Sequence, residues 1–229
     1  MKKILIGFTF CLTFSQLWAQ GFSGAGGAPR FINRPGPIID PYTFFSTGSY
    51  KINNVDSGDF SGLGIGAKIG FNTEKLWFGF DANMVQSDFS PNQNLAATTR
   101  DNHPLFDDNF ILSYGIGMGI NMGRLNLNYI HYFNQNYKGS VTDRTTGARG
   151  DYTYYGKGHK ISLDYEFYEG FTIFAQHQIS KFDRYSLTAD INGVSQTGKT
   201  RRSADLELNT WNFGISYKIR FGTFQSLMQ

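Results

Sequence analysis

The chain has 229 residues, 27 of them Gly, 22 Phe and 13 Tyr, with a formal net charge of +3 and a mean hydropathy of −0.33. Glycine and aromatics exceed average usage, yet no run past the N-terminus approaches the roughly 18 apolar residues a membrane helix needs, so any bilayer crossing is made by strands. A near-neutral chain with no basic block argues against nucleic acid, and the single Cys11 rules out an internal disulfide.

Lys2 and Lys3 precede an uncharged, mostly apolar stretch, Ile4 to Leu17, and Leu17-Trp18-Ala19 offers a small residue for cleavage. Residues 1–19 therefore read as a secretory signal peptide cut after Ala19. Cys11 lies inside it, so the mature chain is expected to lack a thiol, a cysteine metal site and a lipid anchor. Without Lys2 and Lys3, the charge of +3 falls to +1. Residues 20–41 hold Gly-Ala-Gly-Gly and Pro29, Pro35, Pro37 and Pro41, which disfavour helix interiors and central strands. They are expected to form an irregular periplasmic arm.

From Tyr42 to Phe221 the period is two. The first strand, around Tyr42 to Tyr50, is the least regular, with room for a bulge. The second sets Leu63, Ile65, Ala67, Ile69 and Phe71 against Gly64, Gly66, Lys68 and Gly70. The third does the same with Leu76, Phe78, Phe80, Ala82 and Met84, the fourth with Leu112, Tyr114, Ile116, Met118 and Ile120. Similar runs start at Leu125, Ile161, Phe171 and Trp211. Connections near 72–75, 121–124 and 168–170 are tight, whereas those at 51–59, 89–107, 138–157 and 184–205 are long and polar. This alternation predicts an all-β, antiparallel up-and-down transmembrane barrel of about eight strands, with short periplasmic turns and long extracellular loops. Residues 222–229 then form a short periplasmic tail.

Alternation alone also fits a soluble barrel with its large residues inside. Here one face carries Leu, Ile, Phe, Met and Tyr, and the other mostly Gly, Ser, Asn, Gln and charge. An eight-stranded lumen is too narrow for the first set, so the large face meets lipid and the glycines leave room across the lumen. Trp77, Phe171, Trp211 and Phe221 lie near chain reversals and suit an aromatic girdle at the headgroup level.

These strands, together with the terminal run Phe213-Gly214-Ile215-Ser216-Tyr217-Lys218-Ile219-Arg220-Phe221, resemble the small outer-membrane barrels typified by outer membrane protein A. The resemblance implies an integral outer-membrane location, and Phe221 as the aromatic by which the barrel assembly machinery recognises its client. Eight residues follow Phe221, a departure from barrels that end on the aromatic and too few for a peptidoglycan-binding domain.

Chemistry is sparse. His131-Tyr132-Phe133-Asn134 is similar to the His-x-Ser-Asn segment of lipid A deacylases, but Phe133 stands where the nucleophile belongs. His131 and His177 are expected to be interfacial, and His103 and His159 to lie in outer regions. Asp101, Asp107 and Asp108 near His103 match no metal-ligand spacing. Gly115-x-Gly117-x-Gly119 lies inside a strand and is no nucleotide loop. No catalytic residue, cofactor or metal is expected. Lys199, Arg201 and Arg202, with Lys138, Arg144, Arg149 and Lys157, either reach lipopolysaccharide phosphates or stay solvated. On the lumen parity fall Lys68, Asp81, Asp164, Glu166, Lys218 and Arg220, expected to pair into a structural network in the periplasmic half.

The resulting expectation is a scaffold without enzymatic chemistry, serving envelope integrity, adhesion or a larger envelope complex contacted through the N-terminal arm. The alternatives are a narrow channel for ions or small solutes and a lipid-modifying enzyme.

Overall fold

The structure, a computed structural model, describes residues 35–53, 55–91, 108–142, 149–191, 194–196 and 202–221. The signal peptide, most of the arm, His103 and the tail lie outside these residues. Strands β1 (Gly36–Ile52), β2 (Val55–Asn72), β3 (Leu76–Pro91), β4 (Asp108–Met122) and β5 (Leu125–Thr142) follow one another in antiparallel order. They continue through β6 (Arg149–Tyr168), β7 (Phe171–Ile191), the short β8 (Val194–Gln196), β9 (Arg202–Tyr217) and β10 (Ile219–Arg220). Because β9 pairs with both β7 and β1, eight long strands close into a ring, and β10 continues the closure on β1.

The three tight turns share one rim. Gly123 and Gly170 supply the positive φ, 69° and 78°, that two-residue hairpin turns require. Each turn is stitched to the next: Asn121 N donates to Lys75 O, Glu166 N to Arg124 O and Lys218 N to Gly170 O, at 2.8–2.9 Å. Phe221 N donates to Pro37 O at 3.0 Å, so the last aromatic closes the barrel seam with its ring exposed outward.

Four boundaries differ from expectation. β1 starts at Gly36, so the strand includes Pro37 and Pro41, assigned above to the arm. Both prolines point outward near the strand's end, and the ladder to the C-terminal strand is interrupted between Ile39 and Tyr42, where Pro41 has no N–H to give. The predicted bulge is a register shift at Tyr50/Lys51. The expected long connection at 51–59 is instead a tight reversal, with Ile52 paired to Val55 and Asn53 at φ 52°. Much of 138–157 and 184–205 is likewise paired strand, not loop.

The eight long strands run 15–21 residues, longer than the roughly 9–11 needed to cross the hydrocarbon layer. Composition changes along them while the faces stay put. On β9 the outward Trp211, Phe213 and Ile215 give way to Glu207 and Asp205, while the inward Thr210 and Asn212 give way to Leu206 and Leu208. On β3 the outward Met84 is followed by Gln86 and Asp88, and the inward Asp81 and Asn83 by Val85. The barrel is apolar outside and polar inside at membrane depth, then inverts to an ordinary apolar core inside a polar wall. That upper core contains Tyr50, Phe60, Val85, Ile111, Tyr137, Phe182, Leu206 and Leu208, all buried. The inversion follows the solvent: the outer wall faces lipid below and water above.

Inward glycines make room for rings on neighbouring strands more than for polar groups across the lumen. A Cβ at Gly66 would lie 2.5 Å from the Tyr42 ring, and one at Gly214 2.6 Å from the Phe174 ring. The glycine excess and the buried aromatics are two halves of one packing solution.

Candidate functional site

The most developed polar assembly is inside the barrel. Alternation turns every second side chain inward, and the ring brings distant strands face to face. Lys68 on β2 reaches Asp164 on β6, four strands away across the lumen, at 2.7 Å, and Asp40 on β1 at 3.8 Å. Lys160 on β6 reaches Asp81 on β3 at 3.1 Å. Asp81 also accepts hydrogen bonds from Tyr42 at 2.9 and 3.1 Å, Tyr132 at 2.8 Å and Asn83 at 3.3 Å. The Lys160 ammonium lies 5.0 Å from the Tyr42 ring centre and 5.4 Å from that of Tyr132. Asp164 accepts further bonds from Asn128 at 2.8 Å and from Ser162. Nearer the short-turn rim, Glu166 pairs with Arg220 at 2.5 Å, lies 3.9 Å from Lys218 and accepts from Gly170 N.

All six predicted lumen charges thus point inward: Lys68, Asp81, Asp164, Glu166 and Lys218 are buried, and Arg220 is half-buried. Asp40 and Lys160 join them, each about 1% exposed, making four acids (Asp40, Asp81, Asp164, Glu166) and four bases (Lys68, Lys160, Lys218, Arg220). Charge balance and dense hydrogen bonding are what make buried ions tolerable. Asp40 falls in the stretch expected to form the arm, Lys160 lies between the expected connection at 138–157 and the run that starts at Ile161, and Tyr42 and Tyr132 carry no local sign of binding a carboxylate.

Below this layer the short-turn mouth is amide-rich, lined by Asp40, Asn72, Asn121, Asn126, Asn128 and Lys218. Both amide atoms of Asn126 and Asp40 Oδ1 have no protein partner there, which suits water entering from that rim. Trp77, expected in the girdle, instead faces the lumen and packs with Ile38, Ile130 and Tyr132. The exposed rings of Tyr165, Phe167, Tyr168 and Phe171 line the short-turn rim, and Trp211 and Phe45 stand higher on the wall.

The outer wall carries a second polar group. His159 belongs to β6, not to a loop, and is the register partner of His131 on β5. Their Nδ1 atoms are 3.4 Å apart, and the Tyr129 hydroxyl is 2.6 Å from His159 Nδ1. His177, on the same wall, contacts Asn209 at 2.6 Å and lies against Trp211, ring centres 4.8 Å apart. Phe133, in the position a deacylase gives its serine, is exposed on the outer face beside His131. Among the described residues no group of three or more His, Cys, Asp or Glu is gathered as for a metal ion.

No family model matches the chain, and no curated protein does. Solved structures share its architecture at low identity. The attachment invasion locus protein Ail of Yersinia pestis is 12% identical, with 81% of this chain and 100% of that one covered and a TM-score of 0.53. The outer membrane protein OprG of Pseudomonas aeruginosa is 10% identical over 83% of this chain and 99% of its own, with a TM-score of 0.48. Neisserial surface protein A is 12% identical over 81% and 97%, with a TM-score of 0.45. The exposed apolar wall and the closed ring of eight strands together identify the fold as that of the small β-barrels of bacterial outer membranes.

Proposed function

We propose that the protein is a closed outer-membrane scaffold, without catalytic chemistry, that presents a rigid β-stalk and its connecting loops to partners outside the cell. The observation that carries this reading is that the lumen is filled at two levels. Trans-lumen ion pairs tie opposite walls at membrane depth, and an apolar core occupies the stalk above. A conduit for ions would have to breach both layers. Filling also makes the stalk stiff, which suits the display of loops in fixed positions.

Attachment to a surface, the role in the name of the Yersinia protein, is one form such display takes. Lys138 and Lys157, exposed on the outer wall above the belt, are placed to meet phosphates of the outer leaflet, lipopolysaccharide included. The other cations proposed for that contact (Arg144, Arg149, Lys199, Arg201, Arg202) have side chains outside the described residues. An envelope partner engaging the N-terminal arm remains part of the same proposal.

The test is electrical. Wild-type barrel in a planar bilayer should show little steady conductance, and Phe182→Ala, which thins the upper core alone, should not raise it because the charge layer still blocks the path. Large, steady wild-type conductance would replace the scaffold by the narrow channel. A change in lipid A mass when the protein is expressed would replace it by the enzyme.

A further inference from the structure

On the outer wall the pairing of β5 with β6 sets His131 directly opposite His159. Their rings are 4.8 Å apart, centre to centre, at 40°, and the two Nδ1 atoms are 3.4 Å apart. Two zinc–nitrogen bonds of about 2.0–2.1 Å at the tetrahedral angle place their nitrogens about 3.4 Å apart, whereas a square-planar edge would be about 2.9 Å. The pair is thus spaced as one edge of a tetrahedral site before any ion arrives.

Hydrogen bonding alone serves the cluster poorly. The Tyr129 hydroxyl, at 2.6 Å, and His131 Nδ1 both converge on the single Nδ1 of His159, which has one in-plane position for a proton or a lone pair. A cation held between the two nitrogens removes that competition and leaves the tyrosine hydroxyl free to bond a metal-bound water. The surroundings allow access. His159 is exposed and is the first polar outward residue above Ile161 on β6, and Phe133 is the last apolar one on β5. The site therefore stands at the outer margin of the apolar belt, within reach of the headgroup layer.

We propose that His131 and His159 form a bidentate site for a borderline transition-metal cation, Zn²⁺ foremost, revising the expectation from sequence that the chain holds no metal. Imidazole nitrogen selects such ions over Mg²⁺ and Ca²⁺, which prefer oxygen. His177 provides the internal contrast: it has a similar setting on the wall but pairs with an asparagine and a tryptophan, not with a second imidazole.

The mature barrel in nanodiscs is titrated with zinc chloride by calorimetry, and with cobalt chloride to read the visible absorption that reports tetrahedral coordination. One saturable equivalent is expected, unaffected by excess magnesium chloride. His131→Ala and His159→Ala should each abolish it, and the size-matched His131→Asn and His159→Asn should do the same in barrels whose fold is confirmed by circular dichroism. His177→Ala should retain it, and Tyr129→Phe should weaken it by about 10- to 100-fold. Absence of saturable uptake by wild type, its persistence in the Asn variants, or its loss in His177→Ala would overturn the assignment.

Discussion

Asp81→Ala is expected to cost the barrel about 3–5 kcal/mol, the range for removing one partner of a buried ion pair. Asp81 is 1% exposed and is the only acid within salt-bridge distance of Lys160 among the described residues. Removing it leaves the Lys160 ammonium at the centre of a narrow lumen, and two tyrosine hydroxyls lose their acceptor. The cost should fall sharply in the double variant Asp81→Leu with Lys160→Met, because apolar replacement of a whole buried pair is close to neutral. Glu166→Ala should cost less than Asp81→Ala, since its partner Arg220 has a side chain 17% exposed and keeps some hydration. Urea unfolding in lipid vesicles, followed by tryptophan fluorescence, ranks the three. Equal losses for the single and double variants at Asp81 would show that the ion pair is not what the structure depends on.

Ile116→Arg should cost about 2–4 kcal/mol, the range for arginine near the bilayer midplane. Ile116 is 51% exposed on the outer wall, midway along the apolar run from Met122 to Phe110 on β4. The informative comparison is Gln86→Arg, on the outward face of β3 beyond the belt, expected at about 0–1 kcal/mol. Parity suggests the lumen-facing Gly117→Ser as a mild control, but the structure corrects that choice. A Cβ at Gly117 would lie 2.7 Å from Ile130 Cγ1 and 2.9 Å from Trp77 Cζ3, so serine must displace both. Overpacking of that kind costs about 1–3 kcal/mol. The same unfolding assay reads all three, and equal costs for Ile116→Arg and Gln86→Arg would remove the membrane belt from where it is placed.

Much of this was legible in the residues because a strand's period of two is a local property. The lipid-facing parity of Leu63 to Phe71, or of Tyr114 to Ile120, needs no knowledge of what lies beside it, and the same parity sent Lys68, Asp81, Asp164 and Glu166 inward. What depends on register was not legible. Nothing near Lys160 announces that it meets Asp81 across the lumen, or near His159 that it meets His131. Polarity also misled where the solvent outside the wall changes. Arg184 and Ser203 fall in the polar stretch 184–205 expected to be a connection, yet they are register partners on neighbouring strands of the stalk. The reversal from Asn212 inside to Leu208 inside, with no change of parity, marks that change of solvent in the sequence itself. The prolines of β1 misled for a different reason: a strand's outward end tolerates a missing N–H that its centre would not.

The central claim is a lumen filled from the membrane layer to the stalk, within a wall whose outside passes from lipid to water. Cysteine scanning along β9 tests it most directly, since Cys11, the chain's only cysteine, lies in the segment expected to be cleaved. In barrels reconstituted in vesicles, a water-soluble thiol reagent should modify Cys placed at Glu207, on the outer wall of the stalk. It should spare Phe213, which faces lipid, and Leu208 and Asn212, which face the packed interior. Rapid modification at both Leu208 and Asn212, at rates near that of Glu207, would show an open aqueous path and contradict the closed scaffold.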